Sequence, residues 1–536
     1  MKKTLLSSFF LLTVGYAMAG GILTNTNQSA MFTRLQARDA VIDLDAVYYN
    51  PAGLNFLPDN GLFVSLNNQT LGQTRTIKSD YMYLNDGNYQ GKVSAPFFPG
   101  IYASYKLDKI VISLGFNPIG GGGGGIYEKG LPSFEYPVAD LVPSLSSQGA
   151  QGYNLDAYFK GSSVYFGYQL NVSYKINDKL SVALGGRYVQ AKESYSGYLK
   201  NIELNMGGTW MPASDVLNGI AAQANAGATA ASSAAANMQP LITGGYGGLT
   251  FEQAQNNGII DATTRAQLEG GLTTLGISPT GLTLAQAQGA YSGAATSLTA
   301  TAAKSAATAS ILQDQEVEYE KTASGITPIF SINYKLNDQL NFAFKYEHKT
   351  ELIFENSTKK DFTTGFTSDG TPVTQFPDGA KAHLDLPTQI SIGATYRPVK
   401  SLLISTGYHT FLDKNANWNG KEQLLDGNSW EFAMGLEYTL TEKLLVSAGW
   451  LKTSTGATEA YQTDLSYSLP TNTLGGGFAY DINKMIELNL GGSYTMYQQG
   501  EKNFLHDIGG SGTMVPVKET YDKDVWIVSL GLNFRF

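Results

Sequence analysis

The feature that most constrains this chain is a turn that returns six times, each time entered from a tyrosine and flanked by strands of period two. The fullest copy is "SYKINDKLSVALGG", Ser173–Gly186. The others are "YKLDKI" at 105–110, "YKLNDQL" at 334–340, "YRPVKSL" at 396–402, "YTLTEKL" at 438–444 and "YDINKMI" at 480–486. After the turn at 338, Leu340, Phe342, Phe344, Tyr346 and His348 share one face, opposite Asn341, Ala343, Lys345, Glu347 and Lys349. In the last segment Trp526, Val528, Leu530, Leu532, Phe534 and Phe536 oppose Ser529, Gly531, Asn533 and Arg535. Apolar residues every second position fit strands; a helix would space them three and four apart.

Alternation alone also fits a soluble sandwich with its apolar face inward. Three features argue against that. The strands run to about ten residues or more, the length that crosses a bilayer when tilted. The face opposite the apolar one carries small and charged residues, as a wet interior would. Tight turns alternate with long polar loops, the asymmetry of the two ends of a transmembrane barrel. Strands expected at 61–78, 97–107, 109–117, 161–176, 179–196, 324–336, 339–353, 383–396, 400–411, 430–440, 443–452, 470–481, 485–498 and 523–536 make an all-β, antiparallel transmembrane barrel of fourteen strands. Lipid offers no partner to an open sheet edge, so the ring must close. The motif tyrosines then sit at the bilayer interface.

The first residues fit export. Lys2 and Lys3, the apolar run "LLSSFFLLTVGYA" and Ala17-Met18-Ala19 read as a signal peptide over 1–19, with the mature chain starting at Gly20. No later run of about 18 apolar residues could form a membrane helix. The chain has no cysteine, which removes disulfides, thiolate zinc sites and thiol nucleophiles. Its net charge is −9 with no basic stripe, so nucleic acid is not an expected partner.

Two segments are not strands. Residues 205–318 read as an extracellular insertion that is partly helical, with capping boxes at Thr250–Gln253 and Thr283–Gln286. Residues 20–60 read as a hatch for a barrel (61–536) otherwise wide enough to hold a channel. Within the hatch, "DAVYYNPAGLNF" holds Asn50-Pro51-Ala52-Gly53, a tight turn in which proline fixes one φ and glycine frees another. In the third strand, "LGFNPIGGGGGG" runs from Asn117 and Pro118 through Gly120 and Gly121 to Gly125. It lacks side chains and one amide donor, so regular pairing should fail there.

On "YYNPAGL" before the first strand, Asn117-Pro118 closing the third, the strand count and the terminal Phe536, the chain resembles the outer-membrane transporters of long-chain fatty acids and aromatic hydrocarbons (FadL/OmpP1/TodX-like). The resemblance implies passive transport of hydrophobic compounds across the outer membrane of a Gram-negative bacterium. Ligand is captured outside and leaves sideways into the membrane, through an opening at a kink in the third strand. It implies Asn50, Pro51, Ala52 and Gly53 as the hatch motif, Gly20, Gly21, Ile22 and Leu23 as a gating N-terminus, and Asn117, Pro118, Gly120 and Gly121 as the kink. Phe536 would be read by the barrel-assembly machinery. A monomer with no cofactor and no metal is expected, in contact with outer-membrane lipid and a fatty-acid-like ligand.

Alternation puts Arg187 and Lys345 in the lumen, as cations for a ligand carboxylate or as partners of Asp39, Asp43 or Asp45; Arg34 and Arg38 would pair with barrel acids. No G-x-S-x-G elbow and no H-E-x-x-H pair occurs, so an enzyme is not expected. The other readings are a haem or other apolar-ligand receptor using His383 or His409, a general porin, and an adhesin built on the insertion. Intact-mass measurement of the protein extracted from outer membranes should show a chain beginning at Gly20; retention of residues 1–19 would refute the signal-peptide reading.

Overall fold

The computed structural model describes residues 29–367 and 370–536. The signal segment and the gate residues Gly20, Gly21, Ile22 and Leu23 lie outside the described residues. One antiparallel sheet holds eighteen segments. Four of them, 209–212, 353–360, 381–383 and 500–507, are short annexes at the loop end. The remaining fourteen form the wall: β1 (Gly61–Ser79), β2 (Asn88–Leu107), β3 (Ile110–Tyr127), β4 (Ala150–Lys175), β5 (Leu180–Met206), β6 (Gln315–Lys335), β7 (Leu340–Glu347), β8 (Gln389–Val399), β9 (Leu402–Phe411), β10 (Ser429–Thr439), β11 (Leu444–Ser454), β12 (Thr471–Asp481), β13 (Ile486–Tyr497) and β14 (Met514–Arg535).

The ring closes between β1 and β14, from Phe63↔Arg535 to Ser79↔Glu519 without a slip. Every other neighbour pair is an antiparallel hairpin or a loop-linked ladder of the same hand. All six motif turns fall at one end of the barrel, with both ends of the wall beside them, where Phe536 accepts from Leu62 N. The six motif tyrosines, Tyr105, Tyr174, Tyr334, Tyr396, Tyr438 and Tyr480, all point outward and keep 40% to 48% of their surface exposed. They form a ring just inside the turn end, where an amphipathic phenol has its apolar body in hydrocarbon and its hydroxyl in water. Beyond them the outer face is apolar: Leu114, Leu170, Leu184, Ile326, Ile392, Leu436 and Leu530 are exposed. The inner face is polar, with Ser65, Asn67, Ser113, Asn171, Ser331, Asn333, Glu431 and Asn533 buried against the contents of the barrel.

At the loop end β2, β4, β6 and β14 begin at 88, 150, 315 and 514 rather than 97, 161, 324 and 523, and β5 runs to 206 rather than 196. Three further boundaries differ for local reasons. The third strand does not close at Asn117–Pro118. It continues through the glycines to Tyr127, paired with β4 across bulges at Pro118/Gly120 and Gly121/Gly123. Gly121 takes φ +90°, open to glycine and strained for other residues, and so keeps the β4 ladder where a regular strand would lose it. The seventh strand stops at Glu347 rather than 353, because residues 348–352 turn into the lumen. There Thr350 bonds Thr327, and Leu352 is buried beside Asp385. The eighth strand begins at Gln389 rather than 383 for the same reason, since Leu386 pairs with Thr350 inside.

The insertion is helical over Ala213–Leu241, Phe251–Asn256, Ala262–Thr274 and Leu284–Ile311, and both capping boxes are formed. The two long helices pack through small residues such as Ala231, Ala235, Ala287 and Ala295 around Phe251, Met238 and Tyr291. This core is separate from those within the barrel, and only the helix bases, at Ala213, Val216, Leu217 and Ala309, pack with Tyr153, Ile202 and Leu204 of β4 and β5. β5 and β6 pair from Leu180↔Tyr334 to Leu199↔Gln315 beneath it. Replacing residues 213–311 by a short glycine-serine linker should therefore leave the heat-modifiable gel shift of a folded barrel intact; loss of that shift would show the insertion to be part of the barrel's folding unit.

Candidate functional site

The lumen is occupied by the chain's own residues 29–57. Ser29 caps a short helix, Ala30–Arg34, by accepting from Phe32 N at 2.9 Å. A second turn of helix spans Ala46–Tyr49, and a 3₁₀ segment spans Pro51–Phe56. Asn50 starts that segment: its side chain accepts from Gly53 N at 3.3 Å, with Pro51 at the first helical position, where no amide is needed. Three residues of this turn are then fixed to three strands, β4, β5 and β6. Asn50 donates to Asn333 Oδ1 at 2.7 Å, and Ala52 N donates to Ser331 Oγ at 3.0 Å. Ser173 and Ser181 donate to the carbonyls of Pro51 and Ala52 at 2.7 and 2.6 Å.

Charge holds the rest. Arg34, 2% exposed, donates to Glu437 and Ser447 on β10 and β11 and to Asn489 on β13, at 2.7, 2.9 and 3.0 Å. Arg38 folds back on its own segment, to Asp45 at 2.6 Å and Asp43 at 3.0 Å. Asp39 meets His409 Nε2 at 2.6 Å, and the other ring nitrogen of His409 meets Glu431 at 2.9 Å. Arg34 thus pairs with a barrel acid, while Arg38 pairs within the hatch. Close approach needs a wall without side chains. A Cβ at Gly393 or Gly407 would collide with Asp39, at Gly435 with Leu35, at Gly449 or Gly475 with Gln36, and at Gly491 or Gly531 with the helix at Ala30.

Arg187 and Lys345 are buried in the lumen, and their charge is already taken. Arg187 grips Glu347 with two bonds of 2.7 and 2.9 Å, and Lys345 reaches the same carboxylate at 2.7 Å. Both cations lie 4.7 Å from the Tyr48 ring of the hatch, and Lys345 donates to the Tyr48 carbonyl at 3.0 Å. Their shared partner is a barrel carboxylate, two residues beyond Lys345 on β7, not Asp39, Asp43 or Asp45. Arg187 and Lys345 meet at Glu347, and Lys345 stands opposite Ser331, the β6 partner of Ala52.

The wall is broken at the third strand. The β2–β3 ladder runs from Leu107↔Ile110 to Ile101↔Phe116 and resumes only at Lys92↔Ile126. Residues 93–100 of β2 and 117–125 of β3 therefore face each other without a ladder, while each keeps its other neighbour. Asn117, Pro118, Gly120 and Gly121 all border this break. Asn117 is buried and donates to the carbonyl of Pro118 at 2.9 Å. A depression of about 920 Å³ also opens on the wall where 348–352 leaves it, lined by Phe166, Tyr188, Lys192 and Ile353.

Above the hatch the lumen is aromatic. Tyr127, Phe134, Phe159, Tyr195, Tyr319, Phe376 and Tyr521 form one buried cluster, with Tyr319 and Phe376 stacked at 4.4 Å. The loop 412–428 packs with the hatch instead, with Ala416, Trp418 and Leu425 in the cluster that holds Met31, Tyr48 and Leu54. Lys421, on this loop, donates to Ser466 at 3.0 Å and lies 4.3 Å from the Tyr461 ring. Burial, with Lys321 and Lys502 nearby, pulls its amine down to about 7. Sequence reading missed this lysine, because its loop has no periodicity to give it a face. No cluster of His, Asp and Glu among the described residues could hold a metal ion.

The fold and its contents define a class: an outer-membrane β-barrel closed by a hatch from its own N-terminal region. The family model for the outer membrane protein transport proteins (OMPP1/FadL/TodX) matches residues 273–536. The fold of a Pseudomonas aeruginosa FadL homologue superposes with a TM-score of 0.56 at 12% identity, over 96% of this chain and 99% of that one. The toluene transporter TodX of P. putida superposes with a TM-score of 0.50 at 13% identity, over 92% and 95%. No curated protein matches the chain by sequence. Residues 273–536 thus match the OMPP1/FadL/TodX family of outer membrane transport proteins, and the chain as a whole has the fold of these solved structures.

Replacing Arg34 by methionine should leave Glu437 buried without its cation, a cost of about 3–5 kcal/mol for a broken buried pair. The hatch should loosen before the wall does. The expected readout is larger single-channel conductance in planar bilayers with the heat-modifiable gel shift retained; unchanged conductance would show that this pair does not hold the hatch.

Proposed function

We propose that this protein moves hydrophobic compounds, of the long-chain fatty acid type or similar, passively across the outer membrane of a Gram-negative bacterium and releases them sideways into the bilayer. The observation that carries this reading is the break between β2 and β3. The direct axial path is filled by the hatch, held through Arg34, Asp39 and the Asn50–Gly53 turn. The one long interruption of the β2–β3 ladder opens beside the lumen at 117–125. An apolar solute that enters the aromatic upper lumen meets the polar, packed hatch below it and a gap in the wall beside it. Leaving by the gap keeps its apolar surface out of water throughout.

The structural neighbours are described as a FadL homologue and a toluene transporter, which supports apolar cargo as the class. A general porin fits less well, since the lumen is filled with buried, hydrogen-bonded chain. A haem receptor fits less well because His409 is held between two carboxylates and His383 lies beside Asp385. In this reading Gly20, Gly21, Ile22 and Leu23 precede the hatch as its gate, the protein acts as a monomer without a cofactor, and Phe536 is the contact with the assembly machinery.

The absence of native cysteine makes a clean test possible. A Cβ on Gly100 would stand 3.8 Å from the Cβ of Asn117, within disulfide range. Gly125 would approach Val93 at the other end of the break, at 3.6 Å. A chain carrying Gly100→Cys, Asn117→Cys, Val93→Cys and Gly125→Cys should lose uptake of a labelled fatty acid when oxidised and recover it on reduction. Uptake that is indifferent to oxidation in a verified cross-linked barrel would refute sideways release.

A further inference from the structure

On the lipid side of the wall, just above the break, four donors stand around one strand. Lys92 of β2 and Lys160 of β4 are both direct cross-strand partners of Ile126 on β3. One outward position below them on the same strands lie Ser94 and Ser162, and Ser162 is the partner of Gly124. All four side chains are exposed. Among the described residues none of the four makes a side-chain hydrogen bond or an ion pair. The lysines further round this face do: Lys192, Lys200, Lys359 and Lys360 each pair with a glutamate of β6. Glu128, exposed just beyond the end of β3, pairs with neither Lys92 nor Lys160.

The outer rows set the depth of this group. Up β4 the lipid-facing row reads Val172, Leu170, Tyr168, Phe166 and Val164, then turns polar at Ser162 and Lys160. Up β2 it runs through Ile101 and Phe97, then turns polar at Ser94 and Lys92. A tilted barrel strand climbs about 2.5 Å per residue, so both lysines stand about 30–35 Å above the motif tyrosines of their own strands. The apolar band of such a barrel is about 25 Å tall. Lys92 and Lys160 therefore lie at the level of the lipid headgroups.

Below Ile126 the strand between them carries only glycine, from Gly125 down to Gly120. The outer face there is a furrow without side chains, walled by β2 and β4. It runs along the break, where residues 93–100 and 117–125 share no ladder. Backbone groups without a ladder need polar partners at bilayer depth. Lysines two strands apart are about 10 Å apart at the backbone, and their long stems let both ammonium groups reach one anion over Ile126.

We propose that Lys92, Lys160, Ser94 and Ser162 hold the phosphate of an outer-leaflet lipid, whose acyl chain lies down the glycine furrow across the outer mouth of the break. Two point-charge lysines and two hydroxyls suit the several oxygens and the charge of a phosphate. The site is on the lipid face of the wall, apart from the lumen. It rests on the barrel standing in an outer membrane and not on what the lumen carries.

The test measures binding of dioctanoyl phosphatidic acid and dioctanoylglycerol, which differ by the phosphate alone, to the full chain in a neutral detergent by native mass spectrometry. Phosphatidic acid should bind at least about tenfold tighter. Lys92→Gln together with Lys160→Gln should bring that ratio near one, and Lys92→Arg together with Lys160→Arg should keep most of it. Lys452→Gln, at an exposed lysine of β11, should leave it unchanged. A ratio near one in the unaltered chain, or a ratio unchanged in the double glutamine variant, would overturn the site. An equal loss in Lys452→Gln would make the effect one of net charge and overturn it too. Inorganic phosphate that displaces the lipid at equal concentration would reduce the site to one for small anions and overturn the lipid. Decanoate that displaces it equally would assign the lysines to a carboxylate and overturn the phosphate. The transport reading is judged separately, by the disulfide test above.

Discussion

An unpaired backbone amide cannot be left in hydrocarbon, and the rest of this structure follows from that constraint. Each spanning strand must find two neighbours, so the first and last strands must find each other. The β1–β14 ladder does this over its whole length, from Phe63↔Arg535 to Ser79↔Glu519. Closure then decides what each side chain sees. One alternate row faces lipid and is apolar, bordered by the six motif tyrosines. The other faces a bore too wide for strand side chains to fill, so something else must fill it.

What fills it is a segment that buries Met31, Phe32, Leu44, Tyr49 and Leu54 in one apolar cluster and is fixed in place by directional bonds. Serines and asparagines on the inner rows receive the backbone of Val47, Pro51 and Ala52. Arg34 and Asp39 reach a carboxylate and a histidine on the far wall. Such contacts specify one position and can be broken one at a time, unlike a continuous greasy core. The glycines of β8–β13 serve the same end from the other side, by clearing the wall where the hatch backbone comes closest. A plug that is polar, bonded and close-fitting blocks the axial path. The break between β2 and β3 is left as the way past it, at the level where the lumen turns from polar to aromatic.

The two ends of the barrel are built for different tasks. The turn end is uniform: six short hairpins and a ring of phenols. The loop end is irregular, with 348–352 and Leu386 folded inward, the 412–428 loop packed with the hatch and a helical hairpin standing above β5 and β6. Its buried tyrosines make the upper lumen aromatic where the hatch level is polar.

By itself the sequence determined the local and periodic facts. Period-two alternation set which residues of each strand face lipid, the repeated turn set the strand count and the common side of both ends, and Thr250 and Thr283 marked the helix starts in the insertion. These depend on neighbours within a few residues, so they can be read along the chain. What only the tertiary structure decided depends on which distant segments meet. Arg187 and Lys345 are legible as lumen cations, but that Glu347 satisfies both depends on the register of β5 against β6 and β7. Asn117–Gly125 is legible as a place where pairing weakens, but that β4 keeps its ladder while β2 loses its own depends on the bulges at Gly120–Gly123. Arg75 and Lys523 lie more than four hundred residues apart and carry no mark in sequence; the closing of the ring brings them face to face, because closure joins the chain's first strand to its last.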